Sequence, residues 1–264
     1  MIWYFFSFVL FSLIFCCRLV TATDLPLSLE SKSNIKVLIH NYMQDNGIVQ
    51  QENDVIKNYF VMQRVEETDT YDIKQILRNN QYALECDPVD PVLGNLTGDV
   101  TVVEFFDYQC SYCKLMTLLL KELIEKDSNI RIVFKELPIL STTSETAALA
   151  SLASHYQNKY MKFQTKLFDT PGQITQKIIF QVAQEIGLDI DRLKVDMGNT
   201  ITLNQIRKSF ELARILSIRG TPALVIGNYL IHGLISKKKL IQLVAKVRRE
   251  NSLKHLQHKS FGCS

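Results

Sequence analysis

The segment EFFDYQCSYCKLM sets Cys110 and Cys113 three positions apart, directly after a run of strand-forming residues. A cysteine pair at this spacing has three uses: ligating a metal, closing a structural disulfide, or exchanging disulfides with other proteins. As a mere staple it would close only a tiny loop. A zinc site needs about four ligands, and none of the five histidines (40, 155, 232, 255 and 258) shows ligand spacing with the pair. Two soft thiolates suffice for copper(I), so a copper-thiolate binding module stands as the rival to an enzyme.

Such a pair has to be positioned by regular structure. VTVVEFF (100–106) and IRIVFKEL (130–137) are rich in β-branched and aromatic residues and read as strands. Between them, CSYCKLMTLLLKELIEKD reads as a helix with Lys114, Thr117, Lys121 and Glu125 on one narrow polar stripe, so it should be largely buried. Strand, helix and strand in this length make a βαβ unit with parallel strands. From about 141 to 218 the pattern is helical: SETAALASLASHYQ is rich in small residues, and ITQKIIFQVAQEIG stops on Gly187. TPALVIGNYLIHG then gives two short strands around Gly227-Asn228, a two-residue hairpin signal. A last helix, SKKKLIQLVAKVRRE, is capped by Ser236. CDPVDPVLGNLTGD (86–99) is dense in Pro, Gly, Asn and Asp and reads as a boundary.

Ahead of that boundary, Ile35, Leu38, Ile39, Tyr42 and Met43 recur at helical spacing, followed by Val55, Ile56, Tyr59 and Phe60, then Ile73, Ile76 and Leu77. These stripes pack either on the parent domain or against copies of themselves. The chain opens with an apolar run from Met1 to Cys17, and Val20 and Ala22 hold the small-residue spacing of a secretory cleavage site. The run is shorter than a membrane span and lacks a basic start. We read residues 1–22 as a signal peptide in preference to an uncleaved anchor, with the mature chain starting near Thr23. Export leaves Cys86, Cys110, Cys113 and Cys263 of the six cysteines, in a compartment where thiols tend to pair. Cys86 and Cys263 flank the stretch that carries Cys110 and Cys113; whether they pair is open. A net charge of +3 over 264 residues carries no nucleic-acid footprint.

DPVLGNLTGDVTVVEFFDYQCSYCK, FKELPIL and RGTPALVIGN resemble the DsbA-like thioredoxin-fold disulfide oxidoreductases of bacterial envelopes, with the ScsC-like (suppressor of copper sensitivity) branch nearest. The likeness covers roughly residues 88–250. It implies an α/β thioredoxin fold with a helical insertion between its βαβ and ββα halves. It also implies an N-terminal helical extension at 23–85 that oligomerises, a domain at 86–250 and a tail at 251–264.

The physics of the pair agrees with that likeness. A cysteine in the first turn of a helix faces free N–H groups and the positive end of the macrodipole, which lowers its pKa from ~8.5. That makes Cys110 the nucleophile and Cys113, one turn further in, the resolving thiol. Ser111 and Tyr112 tune the potential; the histidine that strongly oxidising relatives carry there is missing, which implies a milder oxidant. Glu104 stands where relatives keep a strand carboxylate, either to move protons for Cys113 or as a partnered structural group. Thr221 and Pro222 would bind the client, with a cis bond between them opposite the cysteines. The resemblance implies no bound cofactor and no metal. Its expected partners are exported thiol or disulfide proteins and a membrane redox protein, in a periplasm.

Overall fold

The computed structural model describes residues 71–255. The leader, the helices expected between residues 30 and 70, His258 and Cys263 lie outside the described residues. The element order is α1 (Tyr71–Asn79), α2 (Gln81–Glu85), β1 (Val92–Gly94), β2 (Val100–Phe106), α3 (Ser111–Lys126) and β3 (Ile130–Glu136). Then come α4 (Thr142–His155), α5 (Tyr160–Asp169), α6 (Gln176–Glu185), α7 (Ile190–Met197) and α8 (Thr200–Ile215), followed by β4 (Ala223–Ile226), β5 (Tyr229–His232) and α9 (Lys237–His255). The strands form one sheet in the order β1-β3-β2-β4-β5. β2 and β3 run parallel, joined through α3, while β4 and β5 add antiparallel strands beside β2. This is a thioredoxin-type sheet with α4–α8 inserted between its halves.

Strand side chains alternate between faces. Val103, Phe105, Val133, Ala223, Val225 and Leu230 share a core cluster with Leu77 of α1, Leu84 of α2 and Leu212, Ala213 and Leu216 of α8. Full burial of each large aliphatic side chain stabilises by about 1.5–3 kcal/mol. Residues 71–85, drawn from sequence into the N-terminal segment, therefore pack on this sheet. Lys135, on the same face of β3 as Val133, is buried and pairs with Asp90, donating also to the Ala83 carbonyl at 2.6 Å. Gln205 of α8 donates to the other Asp90 oxygen. This polar knot ties α2, β3 and α8 to the segment leading into β1.

On the opposite face, Glu104 sits beside Phe134 and Phe106 beside Glu136 in the parallel register. α3 and α9 are linked to each other by Lys237 to Glu122 and by Arg248 to Asp127 at 2.7 Å. Ser141 caps α4, accepting from the Ser144 amide at 3.0 Å, and the small residues Ala147, Ala148, Ala150, Ser151, Ala153 and Ser154 are buried. Small side chains let this helix sit at the centre of the insert.

Two sequence readings are corrected. The turn-rich stretch 86–99 contains a strand, β1, which pairs antiparallel with β3 through Val92–Val133, Leu93–Ile132 and Gly94–Arg131. The tail drawn from 251 begins later, since α9 continues to His255. Cys86 is disulfide-bonded, whereas Cys110 and Cys113 are free thiols.

Candidate active site

Cys110 is the N-cap of α3, with extended backbone (φ −85°, ψ 110°) that ends the approach from β2. Its sulfur accepts from the Cys113 amide at 3.4 Å, a first-turn donor shared with the Cys110 carbonyl at 3.1 Å. The thiol also reaches the Thr221 carbonyl at 3.2 Å. The Thr221–Pro222 bond is cis, and β4 begins immediately beyond it. β2 and β4 are neighbours, with Phe105 opposite Ala223, which brings Cys110 and Thr221 together across 111 positions of sequence.

The two thiols titrate in opposite directions. Hydrogen bonding from Cys113 lowers the Cys110 pKa from 9.0 to about 7. Burial works against this, and the Thr221 side chain and the Cys113 and Tyr112 amides add to the lowering. The Thr221 hydroxyl is buried without a hydrogen-bond partner while the Cys110 thiol donates to the carbonyl of the same residue, so it is available to a thiolate. Cys113 is completely buried. Burial pushes its pKa well up, and the neighbouring Cys110 and Glu104 push it the same way. One thiol is thus a thiolate near neutral pH and the other keeps its proton.

Glu104 is fully buried on β2 and accepts from the Thr117 hydroxyl at 3.3 Å. Burial raises its pKa well above the usual carboxylate range, while the Thr117 bond opposes the shift. Its charge and that of Cys113 influence one another. Thr117, placed by sequence on the polar stripe of α3, is 2% exposed and faces the sheet. Ser111 is exposed and Tyr112 half-buried, at the mouth of the site. Phe106 and Tyr108 belong to the core, their rings edge-to-face at 5.2 Å, and Phe105 lies in the cluster on the other face.

Sequence reasoning did not single out the loop that carries Cys110. Asp107 is buried; its carboxylate accepts from the Gln109 amide at 2.8 Å and from the Leu140 amide at 3.0 Å. Gln109 donates to the Ile174 carbonyl at 2.8 Å. Tyr108 reaches Glu136 of β3 at 3.2 Å and Ser151 of α4 at 2.5 Å. Asp107, Gln109 and Glu136 had no sequence signal, because their partners lie in the insert or on the neighbouring strand. Among the described residues no group of three or more His, Cys, Asp or Glu side chains gathers to hold a metal ion.

The sequence profile of the DSBA-like thioredoxin domain matches residues 101–245. A thioredoxin-like oxidoreductase from Silicibacter pomeroyi DSS-3 is 39% identical, with a TM-score of 0.63, covering 64% of this chain and 98% of that one. The catalytic domain of Proteus mirabilis ScsC is 25% identical, with a TM-score of 0.61, covering 67% and 98% respectively. Disulfide bond formation protein D of Bacillus subtilis is 26% identical over 168 residues, 59% of this chain and 76% of that protein. The Na(+)/H(+) antiporter NhaA 1 of Salinispora arenicola is 28% identical over 152 residues. The aligned part is 55% of this chain and 23% of the antiporter, so the likeness spans about a quarter of that relative's length.

Proposed function

The chain belongs to the DSBA-like thioredoxin domain family, and on that premise we propose that Cys110 and Cys113 are the redox couple of an exported thiol–disulfide oxidoreductase. It forms disulfide bonds in periplasmic client proteins without a bound cofactor. The observation that carries this reading is the Cys110 sulfur itself: a helix N-cap, held by the Cys113 amide, beside the carbonyl that precedes Pro222.

In the oxidising direction, a client thiolate attacks the Cys110 sulfur of the Cys110–Cys113 disulfide. The S–S bond breaks and Cys113 leaves with its electron pair, taking a proton. Glu104, buried beside it with a raised pKa, is the proposed donor. A second client thiolate then attacks the client sulfur of the mixed disulfide and expels Cys110 as a thiolate. Two client thiols become one disulfide, and two electrons rest on the enzyme until a membrane redox partner removes them. Run from the dithiol, Cys110 attacks a client disulfide and Cys113 resolves the adduct, which is the first half of isomerisation. Thr221 offers its backbone to the client strand, and Ser111 and Tyr112 border the sulfur that the client approaches.

Refolding of a scrambled disulfide protein in a glutathione buffer tests the reading. Recovery of native activity should be accelerated and should survive a copper(I) chelator and metal-free buffer. Acceleration that requires copper, or stoichiometric copper(I) binding without any exchange, would replace the enzyme with a copper-thiolate binding module.

A further inference from the structure

Glu136 is 2% exposed, on the face of β3 that also carries Phe134, and no step above uses it. Its Oε1 accepts from the Tyr160 hydroxyl at 2.8 Å and from the Tyr108 hydroxyl at 3.2 Å. Its Oε2 is buried without a hydrogen-bond partner. A buried carboxyl with one bare oxygen costs free energy that an apolar side chain of similar size would not. Packing alone therefore does not account for it.

What the carboxyl grips is informative. Tyr160 belongs to α5, inside the insert, but Tyr108 lies two residues before Cys110. The residues on either side of Tyr108 are fixed as well. Asp107 is held to the Leu140 amide and Gln109 to the Ile174 carbonyl. The Asp107 carbonyl in turn accepts from the Cys110 amide at 3.1 Å, so the residue that a client attacks is tied to the same loop. Three successive residues are thus pinned just ahead of the nucleophile, and the central pin ends on Glu136 and on Ser151, whose hydroxyl lies 2.5 Å from that of Tyr108.

We propose that Glu136 is a positioning residue for the redox couple: through the Tyr108 hydroxyl it fixes the loop whose Asp107 carbonyl holds the Cys110 amide and sets Cys110 as the cap of α3. The proposal rests on the reading of Cys110 and Cys113 as a redox pair. The aromatic contacts of Tyr108 separate packing from hydrogen bonding, since its ring lies tilted against Phe168 at 5.0 Å and edges onto Phe106 at 5.2 Å. Tyr108→Phe keeps the ring and removes only the hydroxyl. Tyr160→Phe removes a hydroxyl from the same carboxylate oxygen without touching the loop.

The test measures the thiolate titration of Cys110 and the equilibrium constant with glutathione for the wild type, Tyr108→Phe, Tyr160→Phe and Glu136→Gln. Tyr108→Phe and Glu136→Gln should stabilise the reduced form, with its Cys110 thiolate, less. They should move the Cys110 titration to higher pH and shift the equilibrium about tenfold towards the disulfide, which is ~30 mV for this two-electron couple. Tyr160→Phe should lower Tm yet stay within about twofold of wild type in both readouts. If Glu136→Gln does not fold, Tyr108→Phe is read against Ser151→Ala, which removes the other partner of the hydroxyl and should stay within about twofold of wild type; an equal shift in Ser151→Ala would overturn the role of Glu136. Wild-type values in Tyr108→Phe, or an equal shift in Tyr160→Phe, would overturn the proposal while leaving the redox reading intact. A wild-type chain that never equilibrates with glutathione would overturn both.

Discussion

Cys110 owes its low pKa first to hydrogen bonding with Cys113 and only then to Thr221 and the helix amides. Iodoacetamide should therefore modify the reduced protein at Cys110 with a rate that rises about tenfold per pH unit up to about 7 and flattens above it. An inflection near the ordinary thiol value would contradict the cap geometry. The same shift has a stability sign. A group whose folded pKa is depressed adds stability that is present above its unfolded pKa and is lost as pH falls through the folded value. Reduced protein should thus gain stability over oxidised protein as pH rises from about 7 towards 9.0. Glu104 carries the opposite sign, because burial raises its folded pKa. It lowers stability once pH exceeds the unfolded value near 4.5. Glu104→Gln is expected to raise Tm at neutral pH and to slow Cys113-dependent resolution of mixed disulfides by roughly tenfold or more. A variant with unchanged resolution kinetics would leave Glu104 a structural group hydrogen-bonded to Thr117.

At the scale of elements, what the sequence made legible was whatever a local period can encode. β2 and β3 announced themselves through β-branched and aromatic runs, and the β4–β5 hairpin through Gly227-Asn228. Gly227 has φ +57°, and an added Cβ would come within 2.9 Å of Val247 Cγ1 on α9. Gly227→Ala should cost at least about 1 kcal/mol in urea unfolding, and a smaller loss would mean that the hairpin and α9 adjust freely. β1 escaped notice because three residues set among Pro, Gly and Asn offer no alternation to read. Thr117 was misplaced for a related reason: α3 is buried on so much of its surface that a polar residue on it need not mark the solvent side. Glu136 and Tyr108 stand 28 positions apart; only the β2–β3 register, with Phe106 beside Glu136, makes them neighbours. Cys110 and Cys113 were legible through spacing, and Thr221-Pro222 only through resemblance.

For the whole molecule, the packing of Leu77 and Leu84 into the core cluster changes how the N-terminal extension should be removed. A deletion through residue 85 would strip part of that core, so the informative truncation removes residues 23–70. That chain is expected to be monomeric in light scattering, to oxidise thiols normally and to isomerise poorly, because reshuffling gains from several sites facing one client. A monomeric full-length chain would contradict an oligomerising role for the extension. The central claim, that Cys110 attacks and Cys113 resolves, is tested most directly by trapping. Cys113→Ser and Cys110→Ser proteins are each expressed in cells, and thiol-sensitive adducts with exported proteins are compared on non-reducing gels. The account predicts that Cys113→Ser accumulates mixed disulfides through Cys110 and that Cys110→Ser does not; equal trapping by the two variants, or trapping by Cys110→Ser alone, would contradict it.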